Sequence, residues 1–423
     1  MEQFQKLGET VEYLWREKNY DETLFPAIAA NALREANLPE KLSAWEVIEW
    51  TLKQTHLPEQ KDVGGKFGDP PITLYNSPRF HVDVYFWLEG TTAIHQHAFC
   101  GAFQVLMGSS IHSWFEFETS EKINFFTEIG NLNLKTCDLL SVGDVQEIQA
   151  GKPYIHGLFH LDQPSATIVV RTHKSPLHLP QFSYYKPYLA VDPFFEEPDT
   201  LKKLQSVSAL IRAKHPETDR IISEWLETAD FQTTFSILSN LRSILHSNKL
   251  DQMFNPNAPV ERFEKFMEIA RMRHGERANI FSKVFEHREN VDQIIKRRSY
   301  ITDGEQRFFL ALLMNVEGKV QTLSLIKERF PDTDPIEKVL DWTFDLAQTR
   351  VLGEEVPNAL GIENFDDIDL FVLESLLKDR NAEEMESSLK SDYPNDDVTE
   401  IAETLPERAE KIKSAVIFKP LFQ

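Results

Sequence analysis

Between two regions of helical texture, the chain holds a stretch from Arg79 to about Thr172 in which the hydrophobic period falls to two. The segments "RFHVDVYFW", "FQVLMG", "IHSWFEFE", "LLSVGDVQEI" and "ATIVVRT" are rich in β-branched and aromatic residues and are separated by turn residues. Side chains on a strand alternate between its faces, so short strands of this kind bury one side only by pairing around a shared core. They predict a β-sandwich or barrel. The flanks follow the helical rule instead. In "KLSAWEVIEWTLKQT", Ser43 stands three before Glu46, a capping-box spacing, and apolar residues follow at helical intervals. In "PDTDPIEKVLDWTFDLAQTRVLG", Asp334 is the expected cap, Pro335 suits the first turn, Glu337 completes a box and Gly353 stops the helix. Ile336, Val339, Leu340, Thr343 and Ala347 would form its apolar face. "GEQRFFLALLMNV" is apolar almost all round, which predicts burial.

The fold class expected is therefore α+β: a β-sandwich or barrel core flanked by an N-terminal helical segment and a large C-terminal all-α region. Expected boundaries are 1–62, 63–195 and 196–423. The Gly- and Pro-dense "DVGGKFGDPPITLYNSP" marks the first break and the connector "SPLHLPQFSYYKPYLAVDPFFEEPD" the second. No fixed repeat of solenoid length stands out in the helical part.

Charge and cysteine usage narrow the function. A net charge of −22 repels phosphate backbones, so no nucleic-acid partner is expected. "KRRS" at 296–299 reads as a solvated helix end. No apolar run reaches the roughly 18 residues a membrane helix needs, and the N-terminus lacks the layout of a signal peptide. Two cysteines, Cys100 and Cys137, are too few for a disulfide framework, which suits a reducing cytoplasm.

The chemistry concentrates in "TTAIHQHAFCGAFQVLMG", residues 91 to 108. On a strand, residues i and i+2 share a side, so His95 and His97 can present both imidazoles to one point. Imidazole is the commonest metal ligand, and such a pair fixes two corners of a site. A second stretch, "GDVQEIQAGKPYIHGLFH", has a Gly-Asp turn, a strand, a Gly-Pro turn and then His156.

The two stretches resemble the paired signature motifs of the cupin superfamily, the first running from Gly90 through His95 and His97 to Gly108. That resemblance implies a double-stranded β-helix and a metal held by His95, His97 and His156. Most cupins carry a glutamate ligand four residues after the second histidine; here that slot is Gly101, and a glutamate placed there would be expected to supply the missing carboxylate. A cupin with three histidines and no acidic ligand resembles the thiol dioxygenases, the cysteine dioxygenase group, over roughly residues 79 to 173. Three departures stand out. Cys100 lies one position before the slot where the eukaryotic members carry a crosslinked cysteine. Arg171 and Thr172 stand where the family has its relay histidine and that residue's neighbour, and the family's carboxylate-binding arginine falls on Ser77.

Three neutral imidazoles leave a bound divalent ion its full charge and open positions, which favours an anionic ligand such as a thiolate beside O2. Iron(II) is the cofactor this implies; zinc, nickel, manganese and copper remain open on the same ligands. The expected function is a mononuclear non-haem iron dioxygenase acting on a small thiol or related substrate with O2. Two alternatives stand beside it: a metal-dependent cupin enzyme tailoring a larger substrate, and a non-catalytic metal- or ligand-binding cupin with a helical interaction region. On "RFHVDVYFW", Arg79, His81, Asp83, Tyr85 and Trp87 share one side, and Phe80, Val82, Val84 and Phe86 the other. The resemblance turns the Tyr85 side toward the metal, making Tyr85 and His81 candidate catalytic groups. Arg171 is the candidate to hold a substrate carboxylate, with an ion pair to Asp83 or Glu147 as the competing reading. His160 reads as a support for a ligand, and His112, His173 and His178 as structural or surface histidines.

Overall fold

The computed structural model describes residues 1–61, 63, 68–88, 93–193, 197–247, 258–351, 356–392 and 398–422. Gly64, Gly65, Gly90 and Gly353 lie outside the described residues.

Helices α1 (Glu2–Arg16), α2 (Phe25–Ala36) and α3 (Ala44–Lys53) come first. Ser43 and Glu46 form the expected capping box at the start of α3, each side chain accepting from the other's backbone amide. The strands follow: β1 (Pro71–Asn76), β2 (Phe80–Trp87), β3 (Gly101–Met107), β4 (Ser110–Asn124), β5 (Thr127–Leu140), β6 (Val145–Ile148), β7 (Ile155–His160), β8 (Ser165–Thr172), β9 (Ser183–Tyr185) and β10 (Leu189–Val191). They build two five-stranded antiparallel sheets, β1-β2-β8-β3-β6 and β7-β4-β5-β10-β9. The chain passes from one sheet to the other as it advances: β2, then a bridge from His95 to His156 on β7, then β3, β4 and β5, β6, β7 and β8. That alternation is the double-stranded β-helix of the cupin fold, a jelly roll closed around one interior.

Both sheets are covered on both sides, which explains why strand residues of either parity are apolar. All eight residues of β2 are buried. Phe80, Val82, Val84 and Phe86 pack under Phe4, Leu7, Val11 and Phe25 of the N-terminal helices. Tyr85 and Trp87 point the other way, into a core with Phe99, Phe103, Tyr154 and Val169. Complete burial of each aliphatic or phenyl group contributes about 1.5–3 kcal/mol, so the parity of β2 is strongly fixed. On the second sheet, Ile111, Cys137 and Phe159 face outward into a helical core holding Phe308, Phe309 and Trp342. Ile129, Leu189 and Val191 face another that holds Phe235, Phe281 and Phe285. The helical region is thus seated on the outer face of the barrel.

Several details depart from the sequence reading. The Gly/Pro stretch contains β1, an edge strand that tolerates Pro71 at its first position. The Pro- and aromatic-rich connector contains β9 and β10, which complete the second sheet. The helix Pro335–Gln348 is capped by Asp334 as expected, but it ends ahead of Gly353, and its buried face is Val339, Trp342, Thr343 and Leu346. "KRRS" is not a solvated end: the Arg298 guanidinium lies 4.5 Å over the Phe159 ring of the barrel. Gly304–Asn315 is buried throughout from Phe308 to Leu313.

Candidate metal centre

His95 and His97 sit on the short segment that enters the second sheet beside β7. His95 and His156 exchange both backbone hydrogen bonds, at 2.8 and 3.0 Å, which fixes their rings on the same side of the sheet. The His97 carbonyl accepts from the Gly151 amide at 2.8 Å. Gln96, between the two histidines, turns away: its Oε1 accepts from the Tyr184 hydroxyl at 2.5 Å and its Nε2 donates to the Pro180 carbonyl at 2.6 Å. Strand alternation therefore does what the spacing predicted.

The structure brings His95, His97 and His156 together, one ring nitrogen from each lying within 4.8 Å of the others, and all three are buried. His97 Nε2 and His156 Nε2 are 2.9 Å apart. Metal–nitrogen bonds of about 2.0–2.1 Å place neighbouring ligand nitrogens roughly 3 Å apart, so the spacing suits a shared ion. His95 Nδ1 lies 2.6 Å from the Ala93 carbonyl, which can only accept; the proton is on Nδ1 and the lone pair on Nε2. Burial pushes all three imidazoles below their ordinary range, and the Arg171 charge adds to this at His97. Neutral rings with lone pairs directed at one point fit a divalent ion.

Gly101 starts β3 opposite Arg171. A Cβ there would meet the Val170 carbonyl oxygen at 2.0 Å and Arg171 Cα at 2.8 Å, so this slot cannot hold the glutamate that the sequence pattern suggested without moving the backbone. The absent carboxylate is built into the β3–β8 contact. Gly108 also has a structural task, turning β3 into β4 at φ +79°. Cys100 faces the N-terminal helices, its Sγ 3.6 Å from the Glu22 carbonyl, and burial pushes its thiol up to about 12. Ser77 is a turn residue whose hydroxyl donates to the Phe80 carbonyl.

The candidate catalytic groups form one buried network around Asp83. The Tyr85 hydroxyl donates to Asp83 Oδ2 at 3.0 Å, His81 Nε2 lies 3.1 Å from the same oxygen, and Arg171 Nε lies 3.6 Å from it. The ion pair with Asp83 set against substrate binding in the sequence reading is thus present. Burial pushes the Asp83 carboxyl up, but His81 and Arg171 outweigh it and hold the group below its usual value. The Arg171 guanidinium also lies 4.5 Å over the Phe99 ring. Beyond His81, its Nδ1 faces His173 Nδ1 at 3.2 Å, and His173 Nε2 donates to the Ser77 carbonyl at 3.1 Å. Burial lowers His173.

The structure places His112, expected to be structural or at the surface, beside a metal-site histidine. It is fully buried, and its Nε2 lies 2.9 Å from His156 Nδ1. Burial pushes it down to about 3. The supporting role expected of His160 does not hold, because His160 binds the Ser165 hydroxyl at 2.7 Å and stacks on Trp87 at 4.6 Å. Tyr154 was also missed. Its ring lies 4.5 Å from that of His156, and its buried hydroxyl has no hydrogen-bond partner among the described residues. His178 is structural, 2.9 Å from Glu22 Oε1.

Fold and site together define a cupin-type barrel with three histidines placed to hold a metal ion. No protein-family model and no curated protein matches the chain. Among solved structures, it is similar to a cupin-2 domain-containing protein from Shewanella frigidimarina NCIMB 400, at 12% identity over 30% of this chain and 92% of that one, with a TM-score of 0.18. The assignment of the barrel rests on the strand order. No helix among the described residues is long and apolar enough to cross a membrane.

Proposed function

We propose that this protein is a mononuclear metal-dependent oxidoreductase that holds iron(II) on His95, His97 and His156 and oxidises a small thiol with O2. The observation that carries the reading is the all-nitrogen donor set, combined with a Gly101 position that excludes the usual carboxylate. A divalent iron held there would keep its full charge and supply positions for a thiolate and O2 side by side. In the overall change both atoms of O2 go to sulfur, RSH becoming RSO2H; sulfur loses four electrons and O2 gains four.

The surrounding residues support that chemistry. Arg171 and His81 both lie against Asp83, so this network of polar groups is held together beside the histidines. Arg171, over the Phe99 ring, would orient an anionic substrate group. Tyr85 gives its hydrogen to Asp83 and so offers its oxygen as an acceptor. His81 links Asp83 to His173. Phe99, Phe103 and Tyr154 give the barrel interior an apolar lining.

The Arg171–Asp83 pair favours a second reading, because it offsets the cation that a carboxylate-bearing thiol would need. Under it, the same metal serves an uncharged or larger substrate, or a binding role without turnover. Oxygen uptake by iron-loaded protein, measured with thiols that carry or lack a carboxylate, tests both. Thiol-dependent uptake with sulfinate as product supports the first reading. A protein that holds iron yet consumes no O2 with any thiol contradicts it.

A further inference from the structure

His112 has no place in the sequence motifs, yet it touches a metal-site histidine directly. We propose that His112 is a positioning residue that fixes the tautomer of His156, and with it the affinity of the site; this rests on the reading of the three histidines as a metal centre. For His156 Nε2 to present a lone pair beside His97 Nε2, the His156 proton must sit on Nδ1. The atom that Nδ1 faces, 2.9 Å away, is His112 Nε2. It must then act as the acceptor, with the His112 proton on Nδ1. Trp114 at 4.2 Å and Phe103 at 5.7 Å hold the His112 ring against rotation. In most metal sites the acceptor behind a ligand histidine is a carboxylate, a carbonyl or water. A neutral imidazole orients the ligand without adding negative charge, so the centre keeps the strong attraction for an anionic ligand that its donor set gives it. Gly101 and His112 thus act to the same end, one within the ring of ligands and one behind it.

The test uses cobalt(II) as the probe on the full chain, with affinity read by chelator competition and geometry by the visible absorption of the bound ion. His112→Phe keeps a ring and removes the acceptor; an expected loss of affinity of about 10–100-fold follows from losing such a partner. His112→Gln retains an acceptor oxygen and should recover most of it. His160→Phe, an equally buried histidine on the strand of His156 that binds Ser165 instead, should leave affinity unchanged. Nitrogen-15 spectra of the zinc-loaded wild-type protein give a reading independent of any variant: the His112 and His156 protons should both be on Nδ1. Wild-type affinity in His112→Phe, equal losses in His112→Phe and His112→Gln, or a zinc-loaded His112 protonated on Nε2 would overturn the proposal while leaving the metal centre standing. A wild-type protein that does not bind cobalt at these histidines would overturn both.

Discussion

Placing a side chain at Gly101 offers a sharp contrast between sequence pattern and structure. By pattern, Gly101→Glu restores a metal ligand. By geometry, its Cβ would sit 2.0 Å from the Val170 carbonyl oxygen, roughly 1.4 Å short of ordinary contact. Relief requires β3 to move off β8 where Gly101 pairs with Arg171. That movement strains the bond from the Thr172 amide to the Cys100 carbonyl, at 2.9 Å, and the one from the Cys100 amide to Thr172 Oγ1, at 3.1 Å. Two hydrogen bonds at about 0.5–1.5 kcal/mol each, plus about 1–3 kcal/mol for overpacking, give an expected loss of roughly 2–6 kcal/mol. Urea denaturation followed by far-ultraviolet circular dichroism reads this directly. Gly101→Ala should already show most of the loss, because the first methyl makes the clash. Gly101→Glu should bind metal more weakly than wild type, since the displaced strand follows His97 by only four residues. A Gly101→Ala protein within about 0.5 kcal/mol of wild type would refute the reasoning, as would tighter metal binding by the glutamate variant.

Arg171→Ala breaks a buried ion pair and should cost about 3–5 kcal/mol, while Arg171→Lys keeps the charge and should cost much less. If Arg171 also orients substrate, the lysine variant will lose affinity for carboxylate-bearing ligands with little change in melting temperature; equal affinity in the two proteins would make Arg171 structural. His160 has its ordinary value of 6.5 lowered to about 3 by burial, so the unfolded chain takes up a proton there before the folded one does. Its contribution is fully present above pH 6.5 and is lost as pH falls toward 3, at about 1.4 kcal/mol per pH unit. His160→Gln should therefore flatten the acid limb of the stability–pH curve by one proton, and an unchanged slope would show that His160 is already charged in the fold.

What could be read from the sequence was what depended on neighbours along the chain. His95 and His97 are two apart, so strand parity alone aims them together, and Ser43 and Glu46 interact within one turn. The two sides of β2 separated cleanly in the pattern, but which side faced inward did not follow from it. Both sides are buried, one under helices and one in the barrel, and apolar residues mark both. The same ambiguity hid His112, whose partner is 44 positions away on β7 and whose neighbours Ile111 and Ser113 are buried in the other direction. Strands β9 and β10 are three residues each, too short for a period to register; β10 pairs with the edge of β5 and β9 with β10. The pairing of Arg171 with Asp83 depends on the register of β8 against β2, in which Arg171 stands opposite His81. That register is a property of the closed barrel rather than of any local segment.

Metal analysis of the protein purified without added metal, beside His97→Ala prepared in the same way, tests the central claim most directly. His97 is the discriminating position, because its Nε2 lies 2.9 Å from that of His156 and its removal takes away a ligand. The account predicts about one metal ion per wild-type chain and loss of most of it in a variant that keeps its circular dichroism spectrum. Full metal retention in folded His97→Ala would contradict it.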